Sequence, residues 1–197
     1  MPRLLITGFD PFGGEAINPA WEAVRRLPDR IGCWQITPMQ IPTVFGEASR
    51  KVLEAAQTLC PDVILCVGQA GGRKNVTPEM VGINLRHASI PDNAGSQPQD
   101  EPVVPGGPAA YFTTLPVRDM VRAMAQSGLP AAVSYSAGAF VCNDTLYAVL
   151  HHLDGSAVRA GFIHVPFLPE QAKDGVPWMT LEDIVRALTL CIETIPA

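Results

Sequence analysis

This 197-residue chain lacks long apolar runs, basic stretches, paired cysteines and any familiar phosphate-binding loop, and each absence excludes a class of function. No segment approaches the roughly 20 consecutive apolar residues that a membrane-spanning helix needs, so no membrane partner is expected. The first apolar run, Leu4 to Ile6, ends at Thr7 and Gly8 and is too short for the core of a secretory signal; a cytoplasmic location is expected. Lysine and arginine total 14 against 19 acidic residues, a net charge of -5 at pH 7. Arg25 with Arg26, Arg50 with Lys51 and Arg73 with Lys74 are separate short pairs, not one stripe, so nucleic acid is not an expected partner. The five cysteines, at 33, 60, 66, 142 and 191, are odd in number and form no CxxC pair, which argues against a disulfide framework and a zinc site; no metal is expected. The glycine-rich runs TGFDPFGG and GQAGG match neither GxxxxGK[ST] nor GxGxxG, so no cofactor is expected.

What is present is a globular alternation of short apolar strands and amphipathic helices, with 47% hydrophobic and 17% charged residues. Arg3 to Thr7 reads as a strand, followed by a turn-rich loop and a helix capped by Asn18 with Pro19 in its first turn. Trp34 to Thr43 predicts a second strand, and Phe45, Ala48, Val52, Ala55, Ala56 and Leu59 the inner face of the next helix. Asp62 to Val67 is apolar throughout after its first residue, as in a strand buried on both faces of a parallel sheet. An alternating segment, MVGINLRHA, precedes a loop from Ser89 to Pro108, and loops of that length inside a compact domain usually serve function. Leu115 to Gln126 predicts a helix, Ala131 to Tyr135 a buried strand, Gly161 to Val165 another, and Thr180 with Asp183 a capped final helix. The fold expected is α/β, a three-layer α/β/α sandwich around a mostly parallel, twisted central sheet. No linker or internal repeat divides the chain, and residues 1–197 read as a single domain.

In such folds chemistry gathers at the carboxyl ends of strands. The stretch AAVSYSAGAFVCNDTLYAVLHHL ends a strand in small residues and opens a helix on Cys142, where the helix dipole favours a thiolate. A plainer reading makes Cys142 the first rung of the apolar stripe that continues at Leu146, Val149, Leu150 and Leu153. A cysteine nucleophile needs a base, and of four histidines His164, in GFIHVPF, lies at a strand end. It can equally be a hydrogen-bonded structural histidine. His151 and His152 are more than two turns along the helix from Cys142, roughly 13 Å or more. Among acids, Glu79 stands between Pro78 and the apolar Met80 and Val81, where a charge needs a partner; Glu15, Asp92 and Glu101 remain competitors.

Six blocks in order, TGFDPFGGEAINPAW, IPTVFGEA, TPEMVGINLRHASIPDNAG, EPVVPGGPAAYFTTLP, SYSAGAFVCNDTLY and RAGFIHVPFLPEQ, resemble the pyroglutamyl peptidase I family over nearly the whole chain. The resemblance implies a cytoplasmic, metal-free cysteine peptidase that removes an N-terminal pyroglutamyl residue from peptides. It implies a triad of Glu79, Cys142 and His164, a pocket formed by Phe9, Phe12, Thr43, Gln69, Ile90, Phe140 and Val141, and assembly from identical subunits as a dimer or tetramer. Pyroglutamate is a flat lactam without a free amino group, so apolar walls and a few amide hydrogen bonds suit it, whereas a charged amino terminus would be buried unpaired. The family's run ahead of IPDN commonly reads D-A-R. Here it is His87, Ala88 and Ser89, which removes an arginine from position 89. The alternatives are a homologue that binds pyroglutamyl peptides without turnover and a nucleoside- or phosphate-handling α/β enzyme.

Overall fold

The computed structural model describes residues 1–173 and 175–197. In chain order the elements are β1 (Arg3–Phe9), α1 (Pro19–Val24), β2 (Arg30–Ile31), β3 (Trp34–Ile41), α2 (Glu47–Leu59), β4 (Val63–Gln69), β5 (Thr77–Pro78), β6 (Val81–Ile83), β7 (Ala110–Phe112), α3 (Val117–Gln126), α4 (Val141–His152), β8 (Arg159–Val165) and α5 (Leu181–Glu193). One sheet has the order β2-β3-β1-β4-β8-β5, and β6 pairs with β7 in a separate ribbon. Strands β3, β1, β4 and β8 run parallel; the two-residue edges β2 and β5 are antiparallel to their neighbours.

Period-2 alternation divides the sheet's side chains between two cores. Leu4, Ile6, Leu65, Val67, Ile163 and Val165 pack on one face with Ala20 and Val24 of α1, Met120 and Met124 of α3, and Ile184 and Leu188 of α5. Leu5, Phe9, Ile64, Cys66, Ala160 and Phe162 pack on the other with Ala48 and Val52 of α2 and Val141, Leu146 and Val149 of α4. These are the three layers expected. Burial of each Leu, Ile, Val or Phe side chain stabilises the fold by about 1.5–3 kcal/mol, so strands covered on both faces carry much of the stability. Helix α1 comes close enough to β1 that a Cβ on Gly8 would lie 2.7 Å from the backbone of Trp21. As predicted, Asn18 accepts from Ala20 N at 3.0 Å and Thr180 from Asp183 N at 3.1 Å. Among the described residues no helix is long and apolar enough to cross a membrane.

The buried strand expected at Ala131–Tyr135 is corrected. That segment makes only two isolated bridges, Val76 with Ala131 and Glu79 with Ser134. It lies beyond β5 at the sheet edge, with one side open, and Tyr135 is 63% exposed. Its composition suits an edge as well as a core: Ala131 packs against the core, while Ser134 and Ser136 bond locally. The short β2, β5 and β7 have no periodic signal in the sequence and arise from tertiary pairing.

Candidate active site

Parity along β8 sets His164. Ala160 and Phe162 point into the core beneath α2 and α4, and His164, two residues on, faces the same side at the strand end, 4% exposed. Gly68 of β4 is its register partner. Helix α4 begins at Val141, one residue before the expected start, so Cys142 is its second residue and sits over that strand end. A Cβ on Gly68 would lie 2.8 Å from Cys142 Sγ, so the absence of a side chain there makes room for the sulfur beside the histidine's strand. Strand β5 runs antiparallel to β8 with Thr77 opposite His164, and Glu79 N donates to Phe162 O at 2.9 Å. The Glu79 carboxylate, wholly buried, then lies 2.7 Å from His164 Nδ1.

This bond sets the tautomer. An ionised carboxylate only accepts, so the imidazole carries its proton on Nδ1 and leaves Nε2 as the free base. Burial alone would push the Glu79 carboxyl up, but hydrogen bonding and charge from His164, then hydrogen bonds from Ser134 and Arg73, outweigh it and hold the group below the usual carboxylate value. Cys142 goes the other way. Burial, reinforced by the Glu79 charge, pushes its thiol up to about 12, against the thiolate that a helix start favours.

The two residues after Cys142 are wholly buried and lock the helix start to distant segments. Asn143 Oδ1 accepts from Ile83 N, and its Nδ2 donates to Ile83 O and Leu85 O, all at 2.9 Å. Asp144 Oδ2 accepts from Gly46 N at 2.9 Å, and its Oδ1 accepts from Arg86 Nε at 2.5 Å. Phe140 closes the helix with extended backbone and no side-chain cap, which leaves the first amides unpaired by side chains.

Around this start the structure gathers part of the expected pocket. Phe12 packs on Phe140 with centroids 6.0 Å apart, and Phe45, which sequence reasoning placed only on a helix face, meets Phe140 edge-on at 5.2 Å. Arg86 lies over Phe45, 5.9 Å from its centroid. Ile90 is 42% exposed near Gly13, and Ser89 is exposed beside it. Phe9 and Val141 present no free side chain: both belong to the core, Phe9 tilted against Phe162, which in turn packs on His164. Thr43 is also buried, its hydroxyl donating to Asp10 O at 3.1 Å and its amide to Asp10 Oδ1 at 2.7 Å. Gln69 follows Gly68, and its Oε1 accepts from Gln171 Nε2 at 3.0 Å. Gln171 and Arg73 were not singled out from the sequence, although Gln171 lies within the PEQ that ends the last family block.

The competing acids are placed elsewhere. Asp92 accepts from the amides of Phe45, Ala94 and Ser96 and shapes the long loop; Glu15 and Glu101 are exposed. His87 bonds Asp100 at 2.9 Å, His151 bonds Tyr111 at 2.9 Å while stacking on Tyr147, and His152 lies with it in the last turn of α4, so of the four histidines His164 is the one at this strand end. Among the described residues no group of three or more His, Cys, Asp or Glu side chains could hold a metal ion.

An α/β fold with a thiol at a helix start, over the strand end of a carboxylate-bound histidine, defines a class: the cysteine-type hydrolases. A family model described as Pyroglutamyl peptidase matches residues 2–197, and the chain belongs to that family. It is 55% identical over 197 residues to the pyrrolidone-carboxylate peptidase of Levilactobacillus brevis, covering 98% of this chain and 97% of that one. The corresponding figures for the Enterococcus faecalis pyrrolidone-carboxylate peptidase are 54% over 195 residues, 97% and 92%. Among solved structures, pyroglutamyl peptidase I from Bacillus amyloliquefaciens superposes with a TM-score of 0.96 at 46% identity, over 98% of this chain and 94% of that chain. Pyrrolidone carboxyl peptidase from Thermococcus litoralis gives 0.94 at 34% identity, over 98% and 92%.

Proposed function

We propose that this chain, acting as one domain, hydrolyses the bond after an N-terminal pyroglutamyl residue with Cys142 as nucleophile, His164 as base and Glu79 as orienting acid. The observation that carries the assignment is the buried 2.7 Å bond from His164 Nδ1 to Glu79, at the strand end over which Cys142 sits. With the thiol neutral at rest, His164 Nε2 takes the proton as Sγ attacks the pyroglutamyl carbonyl. The amide of Cys142 and its neighbours at the start of α4 hold the developing oxyanion, about 3 kcal/mol per donor. Imidazolium returns the proton to the departing amine, and water activated by the same ring hydrolyses the thioester. Glu79 stabilises the imidazolium between these steps.

Phe12, Phe45 and Phe140 offer the lactam an apolar wall, with Gln69 supplying an amide at its edge. Phe9, Thr43 and Val141 act from behind by holding that wall and the histidine in place. A homo-oligomer of two or four subunits in the cytoplasm belongs to the same reading. It is supported by family membership, by the exposed Phe112, Tyr135 and Trp178, and by five free cysteines. A fluorogenic pyroglutamyl amide tests the chemistry: wild type releases the fluorophore and Cys142→Ser does not. Equal rates in the two would remove Cys142 from the mechanism.

A further inference from the structure

Arg73 lies in the loop after β4, outside every block that points to the triad, yet its guanidinium reaches the triad's acid. Its Nη1 donates to Glu79 Oε1 at 2.9 Å, to Thr77 Oγ1 at 2.8 Å and more weakly to Ser134 Oγ at 3.4 Å. Its Nη2 donates to Ser136 O at 3.1 Å. Glu79 Oε1 therefore receives both Arg73 and His164, while Oε2 is buried with no hydrogen-bond partner. The guanidinium also ties the acid's strand to the Ser134–Ser136 segment, which leads into Phe140 and the helix of Cys142. We propose that Arg73 is a positioning residue for the reaction: it is the counter-charge that keeps buried Glu79 ionised and clamps the carboxylate oxygen on which His164 is oriented.

The inference rests on the triad reading above. A buried carboxylate held only by a neutral Nδ1–H and a serine hydroxyl is drawn toward its protonated form, because burial penalises the charge, no partner is charged and one oxygen is already unpaired. Once protonated, Glu79 neither fixes the Nδ1–H tautomer firmly nor stabilises imidazolium. Arg73 supplies the positive charge that opposes this before His164 has gained any. The ionisable groups facing Glu79 are His164 from β8, Arg73 from the loop and Cys142 from α4, with the hydroxyls of Thr77 and Ser134 completing its surroundings. Cys142 is neutral at rest, so Arg73 is the one permanent cation among them.

Arg73→Met removes the charge and keeps the length; Arg73→Lys keeps the charge but loses the fork that spans Glu79 and Ser136. The pH dependence of kcat/KM on a pyroglutamyl amide is measured for both. The Met variant is expected to move the acid limb up by about one to three pH units and lower kcat about tenfold or more, with KM nearly unchanged. The Lys variant is expected to restore the position of the limb but only part of kcat. A limb left in place in the Met variant, with kcat falling only as far as a lowered Tm accounts for, overturns the proposal while leaving the triad intact. The low-field Nδ1–H proton resonance of His164 gives a second readout that needs no turnover, in the Lys variant as well should the Met variant not fold. Loss of this resonance at a higher pH than in wild type as pH falls, in Met but not Lys, supports the clamp. An unshifted loss in the Met variant, or one shifted as far in Lys as in Met, overturns it.

Discussion

Gly68 sits opposite His164 in the β4/β8 register, and a Cβ on it would come 2.8 Å from Cys142 Sγ and 2.8 Å from Phe162 Cζ. The sulfur therefore occupies the space of a missing side chain. Gly68→Ala is expected to displace Sγ or the Phe162 ring that packs on His164, lowering kcat about a hundredfold while costing about 1–3 kcal/mol in stability. Kinetics on the pyroglutamyl amide and a thermal melt separate the two effects; a variant with wild-type kcat would show that Sγ does not need this space.

The resting state of Cys142 follows from burial. With the thiol pushed up to about 12, the thiolate fraction in the free protein should rise tenfold per pH unit through neutral and mildly alkaline pH. Iodoacetamide alkylation of Cys142 should then climb log-linearly from about pH 6 to 9.5 with no plateau. Cys33 and Cys60 are exposed and react too, so the rate is read from the Cys142 peptide by mass spectrometry. A plateau below pH 8 would reveal a preformed thiolate and imidazolium pair instead.

Asn143 bears on stability and not on chemistry. Its amide completes the hydrogen bonding of Ile83 N, Ile83 O and Leu85 O beside a helix turn in which Val141, Asp144 and Thr145 are also buried. Asn143→Leu leaves Ile83 N and Leu85 O unpaired, while Ile83 O keeps the Leu85 amide at 2.9 Å, at a cost of about 2 kcal/mol or more, or about 4–8 °C in Tm. A melt within 2 °C of wild type would mean that water takes over those bonds.

The layers of the fold were legible because pattern reports burial: β1, β4 and β8 are short, nearly continuous apolar runs covered on both faces, and the helices carry three-and-four-residue spacing. Ala131–Tyr135 misled because small apolar residues suit a half-covered edge as readily as a core, and only the pairing partner distinguishes them. At the candidate site, residue type and strand-end position nominated Cys142, His164 and Glu79 but left Glu15, Asp92 and Glu101 open, and the family resemblance chose among them. The supports of these side chains could not be picked out. Gly68 matters through what it lacks, Arg73 and Gln171 act across long sequence separations, and Asn143 and Asp144 resemble ordinary first-turn residues until their distant partners are known. The thiol's surroundings were illegible for a related reason: sequence shows the helix start, but not the desolvation and the Glu79 charge that push the thiol up there.

On the proposed reading of Gln69 as a pocket residue, Gln171 sets which end of its amide is left for substrate. Leu168 N donates to Gln171 Oε1 at 3.1 Å, so Gln171 turns its Nε2 toward Gln69 Oε1 at 3.0 Å, with Ile17 O at 3.3 Å and Glu15 Oε2 at 3.4 Å as further acceptors. Gln69 thereby spends its oxygen on Gln171 and keeps its own NH2 to donate to a lactam carbonyl. In Gln171→Glu the carboxylate still accepts from Leu168 N, but it now opposes Gln69 Oε1, and the Gln69 amide turns over to donate to it. An oxygen would then meet the substrate's oxygen. KM for the pyroglutamyl amide is expected to rise about five- to a hundredfold, the equivalent of about 1–3 kcal/mol, because an acceptor is left unpaired on binding. The Glu79, His164 and Cys142 geometry is untouched, so kcat and the alkylation rate of Cys142 at fixed pH should change by less than about threefold. A rise in KM shared by Gln69→Glu and not added to in the double variant would place both residues on one path. A fall in kcat at constant KM would instead assign Gln171 to holding the loop after β8.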